Sequence, residues 1–377
     1  MDTAATREFL RAQMANRPES RLQDLCKALY QSTFGCGHLI SDVAAAEQSI
    51  REELAAGVPS CRDIEPLDGL WDRVPLGILA GVLTPATLAR AFALSAAMPR
   101  EDTAALEARL DVLRELLTEG ALPYNAAEAE AELARWQAAG YPACHHSADY
   151  RAAYHPAYRV LHRHYTHLLP LLETIDGALA ARERVLLAIE GGAASGKTTL
   201  SRELSELYPD SAVFHADDFF LRPEQRTPER FAQPGGNMDR ERLEAEVLVP
   251  LRRGEAAVYR PFDCGTMTLR PPVTVRPARL NIVEGAYSLH PSLEKYYDLS
   301  VFLDVTPETQ RRRILSRNGA EWGQRFFERW IPLETAYFQE TATVARCTLR
   351  LKEDGTLEKA GYQPTGIHPR NFAITPN

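Results

Sequence analysis

Gly191-Gly192-Ala193-Ala194-Ser195-Gly196-Lys197-Thr198 is the stretch that decides the fold of this chain. It matches GxxxxGK[ST], a pattern that average residue frequencies produce in on the order of one chain per hundred of this size. Its flanks are the ones the pattern needs. The apolar run VLLAIE (185–190) leads in as a strand, and TTLSRELSELY (198–208) leads out at helical spacing. Glycines let successive backbone N–H groups turn inward around phosphate oxygens, and the following helix adds the positive end of its dipole. Lys197 can then reach the β- and γ-phosphates, and the Thr198 hydroxyl can ligate Mg²⁺. Residues 191–198, with Thr199 behind them, are therefore the expected cradle for the phosphates of ATP, with Mg²⁺ as its companion.

Working outward, AVFH (212–215), LNIVE (280–284) and LSVFLD (299–304) are further short apolar runs. They alternate with helical patterns at 197–208, 239–252 and 307–317. Strands and helices in this rhythm imply βαβ units and a parallel sheet. The expectation for 183–354 is an α/β P-loop NTPase fold, a parallel sheet flanked by helices. Residues 1–182 are Ala- and Leu-rich at helical spacing, as in Leu22, Leu25, Leu29 and in Leu106, Leu110, Leu113. No strand signal stands out there, so this half reads as an all-helical domain. Thr84 and Asn125 are expected N-caps, with Pro85 at a first helical position. Pro156 is expected to open a helix running to about Ala180. The stretch 355–377 is punctuated by Gly and Pro and reads as a poorly ordered tail.

Composition narrows the function. The chain has 377 residues, 45% hydrophobic and 25% charged, which excludes collagen, disorder and coiled coil. That length favours two domains. Net charge is 43 − 51 = −8, which argues against a nucleic-acid polymer or an anionic membrane as partner, since both demand a basic face. A small phosphorylated ligand in a local basic pocket is compatible with it. Six scattered cysteines, with no CxxC pair, read as reduced thiols. The N-terminus MDTAATREFLRAQMANRPES lacks the apolar run of a signal peptide, and Arg90 interrupts the most apolar stretch, Pro75–Met98. The expected location is the cytoplasm.

Carboxylates and arginines downstream suggest what the phosphate site does. His215-Ala216-Asp217-Asp218-Phe219-Phe220 follows a strand, so its acids emerge at the C-terminal sheet edge where ligands bind in open α/β folds. An acid there can take a proton from a substrate hydroxyl or hold Mg²⁺; the bland alternative is a solvated loop pair. Glu284 closes LNIVE, a usual place for an acidic Mg²⁺ partner, although turns also collect acids. Arg311, Arg312, Arg313 and Arg317 crowd one helix, with Arg313 and Arg317 on a common face. Arginines over a transferring phosphoryl group stabilise its oxygens, and a solvated basic face is the competing reading.

These motifs together resemble the uridine kinase-like branch of the P-loop kinases, with phosphoribulokinase and bacterial pantothenate kinase as relatives. The resemblance covers about residues 185–350. It rests on GGAASGKTT (191–199), HADDFF (215–220), NMDRERL (237–243), YRPFDC (259–264), IVEGAYSL (282–289) and RRRILSRN (311–318). It implies an ATP-dependent kinase acting on an alcohol group, with Asp217 as the base for the acceptor hydroxyl and Asp218 the weaker candidate. It also implies acceptor contacts at Asp239, Tyr259, Phe262 and Asp263. Cys264-Gly265-Thr266 stands where uridine kinases carry a histidine, and Arg317-Asn318 replaces Arg-Asp, so uridine itself is not implied. Trp330, Glu334 and Tyr337 in 321–338 are either substrate contacts or helical core.

The N-terminal half carries two polar, aromatic stretches, YQSTFGCGHLISD (30–42) and CHHSADYRAAYHPAYRVLHRHY (144–165). Cys36, His38, Cys144, His145 and His146 match no zinc spacing. Arg151, Arg159 and His145 could form a second phosphate pocket, or the segment could simply fill helix contacts. The leading reading is a small-molecule kinase. The alternative is a nucleotide-binding regulatory or interaction protein whose P-loop is not catalytic.

Overall fold

The computed structural model describes residues 2–37 and 42–359. His38 and residues 360–377 lie outside them. Two compact units divide the chain, Met1–Glu173 and Thr174–Asn377. The division falls inside the Arg163–Ala181 helix, ahead of the boundary expected at 182/183.

The first unit is largely helical for the reasons its sequence supplies. Leu10, Leu25, Leu29, Leu106, Leu110, Leu113 and Leu116 recur at helical spacing and are buried together between the Thr3–Asn16, Leu22–Phe34 and Thr103–Thr118 helices. Thr84 accepts from Thr87 N–H with Pro85 behind it, and Asn125 accepts from the N–H groups of Ala127 and Glu128, so both expected caps form.

An all-helical reading nevertheless needs correction. β1 (Glu65–Pro66), β2 (Trp71–Pro75) and β3 (Tyr158–His162) form an antiparallel sheet in the order β1-β2-β3. Trp71 to Val74 are all buried, so no polar–apolar alternation marks β2 as a strand. Its partner lies far along the chain, where the expected helix from Pro156 is replaced by β3 and begins only at Arg163. Arg73 is buried on β2 because Glu65 and Gln31 pair with it.

The second unit is built on a six-stranded sheet. Its strands are β4 (Val185–Gly191), β5 (Ser211–His215), β10 (Leu280–Glu284), β11 (Leu299–Leu303), β12 (Leu349–Leu351) and β13 (Leu357–Lys359), in the order β13-β12-β11-β4-β10-β5. Two hairpin pairs lie between β5 and β10: β6 (Ala257–Tyr259) with β9 (Val273–Val275), and β7 (Phe262–Asp263) with β8 (Thr268–Leu269). β12, β11, β4, β10 and β5 run parallel, as expected, and β13 alone pairs antiparallel. Every residue of β4, β10 and β11 is buried, which explains their unbroken apolar runs. β13 extends the sheet past the expected end at 354, because Leu349–Leu351 offers a free edge after a tight turn at Gly355.

Parallel register brings the functional strand ends to one edge. Glu284 lies beside Ile189 on one side and His215 on the other. Gly285 follows with φ +144°, and a Cβ there would stand 2.5 Å from Ala216 Cβ. Only glycine fits between the end of β10 and the start of the acidic segment. The helix Pro307–Arg325, capped by Thr306, is broken by a left-handed backbone at Gly319 and is followed by the Ile331–Glu340 helix.

Candidate active site

The glycine-rich loop leaves β4 at Gly191 and enters the Lys197–Leu207 helix at Gly196. Gly191 has φ +149°, and a Cβ would lie 2.7 Å from Leu303 O, so the turn off the strand admits no side chain. Ala194 takes a left-handed φ of 58°, uncommon for a residue with a Cβ and frequent at functional turns. Lys197 Nζ donates to Gly191 O and Gly192 O, each at 2.9 Å. Ala193 N–H donates to Glu334, Gln310 Nε2 donates to Ala193 O at 2.9 Å, and Arg313 donates to Ala194 O at 3.1 Å. Thr199 is exposed on the first turn of the helix.

Beside the loop stands an acidic group. Thr198 Oγ1 donates to Glu284 Oε1 at 3.1 Å, and His215 Nδ1 meets the same oxygen at 2.6 Å. That hydrogen bond raises the His215 pKa above its usual value, against partial burial. Asp217 lies one turn past β5, its side chain still reached by solvent. Crowding by surrounding protein nevertheless raises its pKa, and Lys197 opposes that rise. The charges of Glu284, His215 and Arg317 also act on Asp217. Burial raises Asp218 as well.

Lys197, Thr198, Glu284, His215 and Asp217 thus form one group, drawn from the ends of three adjacent strands. Arg313 sits on the loop carbonyls. Arg317 bonds its neighbour Asn318, lies over the Phe326 ring at 5.9 Å and is within electrostatic reach of Asp217.

The remaining expected contacts are held by the fold. Asp239 is buried, caps the Arg240–Leu243 helix through Arg242 N–H and accepts from Gln225 Nε2 at 2.8 Å. Tyr259 is buried against Phe214 and Phe219. Phe262 is buried with Arg226 over its ring at 5.7 Å. Asp263 accepts from Gly265 and Thr266 N–H and pairs with Arg270, which lowers its pKa. Desolvation and then the Asp217 charge push the Cys264 thiol up. In the first unit, His146 is buried between Asp24 at 2.9 Å and Tyr158 OH at 2.6 Å.

Two acids were not marked by any motif. Glu190, immediately before the loop, is fully buried and accepts from Gly191, Tyr287 and Leu289 N–H and from Tyr337 OH. Burial pushes it up to about 7 against those donors. Its signal was an acid closing an otherwise apolar strand. Glu334 was open in the sequence, with Trp330 and Tyr337, between a substrate contact and helical core; Tyr337 is core, and Glu334 is buried with its carboxylate on the loop.

Comparison with known proteins gives partial matches. No protein-family profile matches the chain. A uridine kinase of Brevibacillus brevis is 27% identical over 149 residues, covering 37% of this chain and 69% of that protein. A phosphoribulokinase of Synechocystis sp. is 25% identical over 149 residues, covering 38% of this chain. This chain resembles the uridine kinase-like P-loop kinases. The match spans only 44% of the length of that phosphoribulokinase. A solved structure of a possible uridine kinase from Bacillus stearothermophilus covers 48% of this chain and 98% of its own, with TM-score 0.37 and 22% identity. No helix among the described residues is long and apolar enough to cross a membrane.

Proposed function

We propose that this chain is an ATP-dependent kinase that transfers a phosphoryl group to an alcohol on a small molecule, a nucleoside among the candidate acceptors. One observation carries the reading: Lys197 and Thr198 from the loop, Glu284 from β10 and Asp217 after β5 converge on one edge of the sheet. Resemblance to uridine kinase and phosphoribulokinase supports the same chemistry.

The residues divide the work. Backbone N–H groups of 191–198 and the Lys197 ammonium bind the phosphates, Lys197 exchanging its two loop carbonyls for phosphate oxygens. The Thr198 hydroxyl and the Glu284 carboxylate are hard oxygen donors that fit Mg²⁺, a cation usually held by one or two carboxylates plus phosphates. Mg²⁺ bound there supplies neutralisation of charge on the triphosphate. His215 holds Glu284 in place through the oxygen shared with Thr198. Asp217 accepts the acceptor's O–H proton as that oxygen bonds to the γ-phosphorus and the bridging P–O bond breaks, releasing ADP. Its raised pKa improves it as a base near neutral pH. Arg313 and Arg317 add positive charge as the phosphoryl group transfers.

The test is ATP consumption with Mg²⁺ and a panel of nucleosides, pantothenate-like alcohols and sugar phosphates. At least one acceptor is expected to stimulate turnover well above the rate with water alone. If none does, the kinase reading fails.

A further inference from the structure

Glu334 belongs to none of the motifs that mark the site, yet it reaches the middle of the phosphate-binding loop. The residue is 8% exposed, and its Oε2 accepts a 2.8 Å hydrogen bond from Ala193 N–H. The loop leaves room for this contact. A Cβ on Gly192 would stand 3.5 Å from Glu334 Oε2 and 3.0 Å from Gln310 Nε2. Glu334 also arrives from a rigid element. The Ile331–Glu340 helix is anchored by Tyr337, fully buried with its hydroxyl on Glu190, and by Phe338, edge-on to Phe302 at 5.1 Å.

Electrostatics make the position unusual. A carboxylate this deep needs strong partners. Glu334 has the loop N–H and the Lys197 charge in its favour, and both burial and the Asp217 charge against it. Loops of this sequence turn their N–H groups toward phosphate oxygens, and a carboxylate oxygen offers such an N–H the same anionic acceptor. The rest of the cradle is only partly used. Lys197 is spent on two carbonyls, and the hydroxyl of Ser195, 7% exposed, has no hydrogen-bond partner among the described residues. The loop is therefore furnished for a larger anion than one carboxylate.

We propose that Glu334 is a further residue of the site, an internal anion that competes with the nucleotide's phosphates for the loop and leaves Ala193 N–H as they enter. This rests on the nucleotide-site reading above. The helix stays anchored by Tyr337 and Phe338, and only the Glu334 side chain has to swing. Occupation of the loop by Glu334 lowers the fraction of chain ready for nucleotide, and apparent affinity falls with that fraction.

The experiment is a calorimetric titration of ATP with Mg²⁺ into the full chain, comparing wild type, Glu334→Gln and Glu334→Ala, with circular dichroism to establish that each is folded. Both variants are expected to bind about tenfold more tightly, the scale of one charge-assisted hydrogen bond. Glu334→Gln keeps the volume and a neutral acceptor for Ala193 N–H, so it carries the test if Glu334→Ala does not fold. Folded variants that bind no tighter than a binding wild type overturn this inference alone. If neither wild type nor variants bind any nucleoside triphosphate, the inference and the proposed function fall together.

Discussion

Thr198 and His215 share a single oxygen of Glu284, at 3.1 and 2.6 Å. Thr198 lies in the first turn of the helix after the glycine-rich loop, Glu284 ends β10, and His215 ends β5. Parallel pairing sets β10 between β4 and β5 with Glu284 opposite His215, so one register of hydrogen bonds assembles the acidic side of the site.

Lys197 is the one lysine of the glycine-rich loop, and its ammonium lies on the Gly191 and Gly192 carbonyls. Lys197→Ala is expected to reduce acceptor-dependent ATP turnover on the order of 10³-fold or more, the scale for losing a key cationic contact in phosphoryl transfer. Steady-state kinetics with the best acceptor checks this. Turnover near the wild-type level would remove the loop from catalysis.

Asp217→Asn keeps the shape of the acid and removes its basicity. Phosphoryl transfer is expected to fall roughly 10²–10⁴-fold, as for loss of a general base, while ATP binding stays within a few fold. Parallel kinetic and binding measurements separate the two function classes. A regulatory nucleotide-binding protein would retain its nucleotide-dependent partner binding in this variant, with no acceptor phosphorylation in either form.

Gly285→Ala is expected to destabilise the second unit by about 2–4 kcal/mol, through overpacking and a backbone angle that L-residues rarely adopt. The new Cβ would meet Ala216 at 2.5 Å, and Ala216 adjoins Asp217. Thermal unfolding and turnover should therefore fall together. A variant as stable as wild type would show that the β10 end relaxes freely.

His146 gives the first unit a pH dependence. It is 7% exposed, and desolvation lowers its pKa to about 4 from 6.5, outweighing Asp24. The unfolded chain therefore binds the extra proton first as pH falls. The contribution to stability is full above pH 6.5 and is lost progressively down to about pH 4, roughly 3 kcal/mol in all. Asp24, held at about 2 despite its burial by His146 and Ser147, adds its own loss only below 3.8. Unfolding midpoints of His146→Gln between pH 7 and 4 should decline less steeply than those of wild type. Parallel slopes would contradict the assignment.

The glycine-rich octapeptide, the parallel strands and the helix caps are local signals, and all were legible in the chain. Each depends on neighbours in sequence: a glycine where φ must be positive, an apolar run long enough for a buried strand, a hydroxyl or amide ahead of a helix. The acids at strand ends were legible for the same reason. The β2–β3 sheet was not, because both faces of β2 are buried and its partner is distant in sequence. Asp239, Tyr259 and Phe262 were legible as family positions, but burial and hydrogen bonding, which only folding decides, engage them within the protein. The same holds for how Glu190 and Glu334 are placed. Glu190 and Glu334 lie at opposite ends of the second unit's sequence, and neither residue type nor spacing connects them. Tertiary packing alone sets the Ile331–Glu340 helix against the loop, with Tyr337 on Glu190 and Glu334 on Ala193 N–H. By itself, then, the sequence determined that this chain has a glycine-rich loop of the GxxxxGK[ST] pattern between a strand and a helix of a parallel sheet. That a carboxylate from residue 334 meets the Ala193 N–H of this loop was decided by the fold, because a hydrogen bond between residues 193 and 334 exists only once the helix has docked.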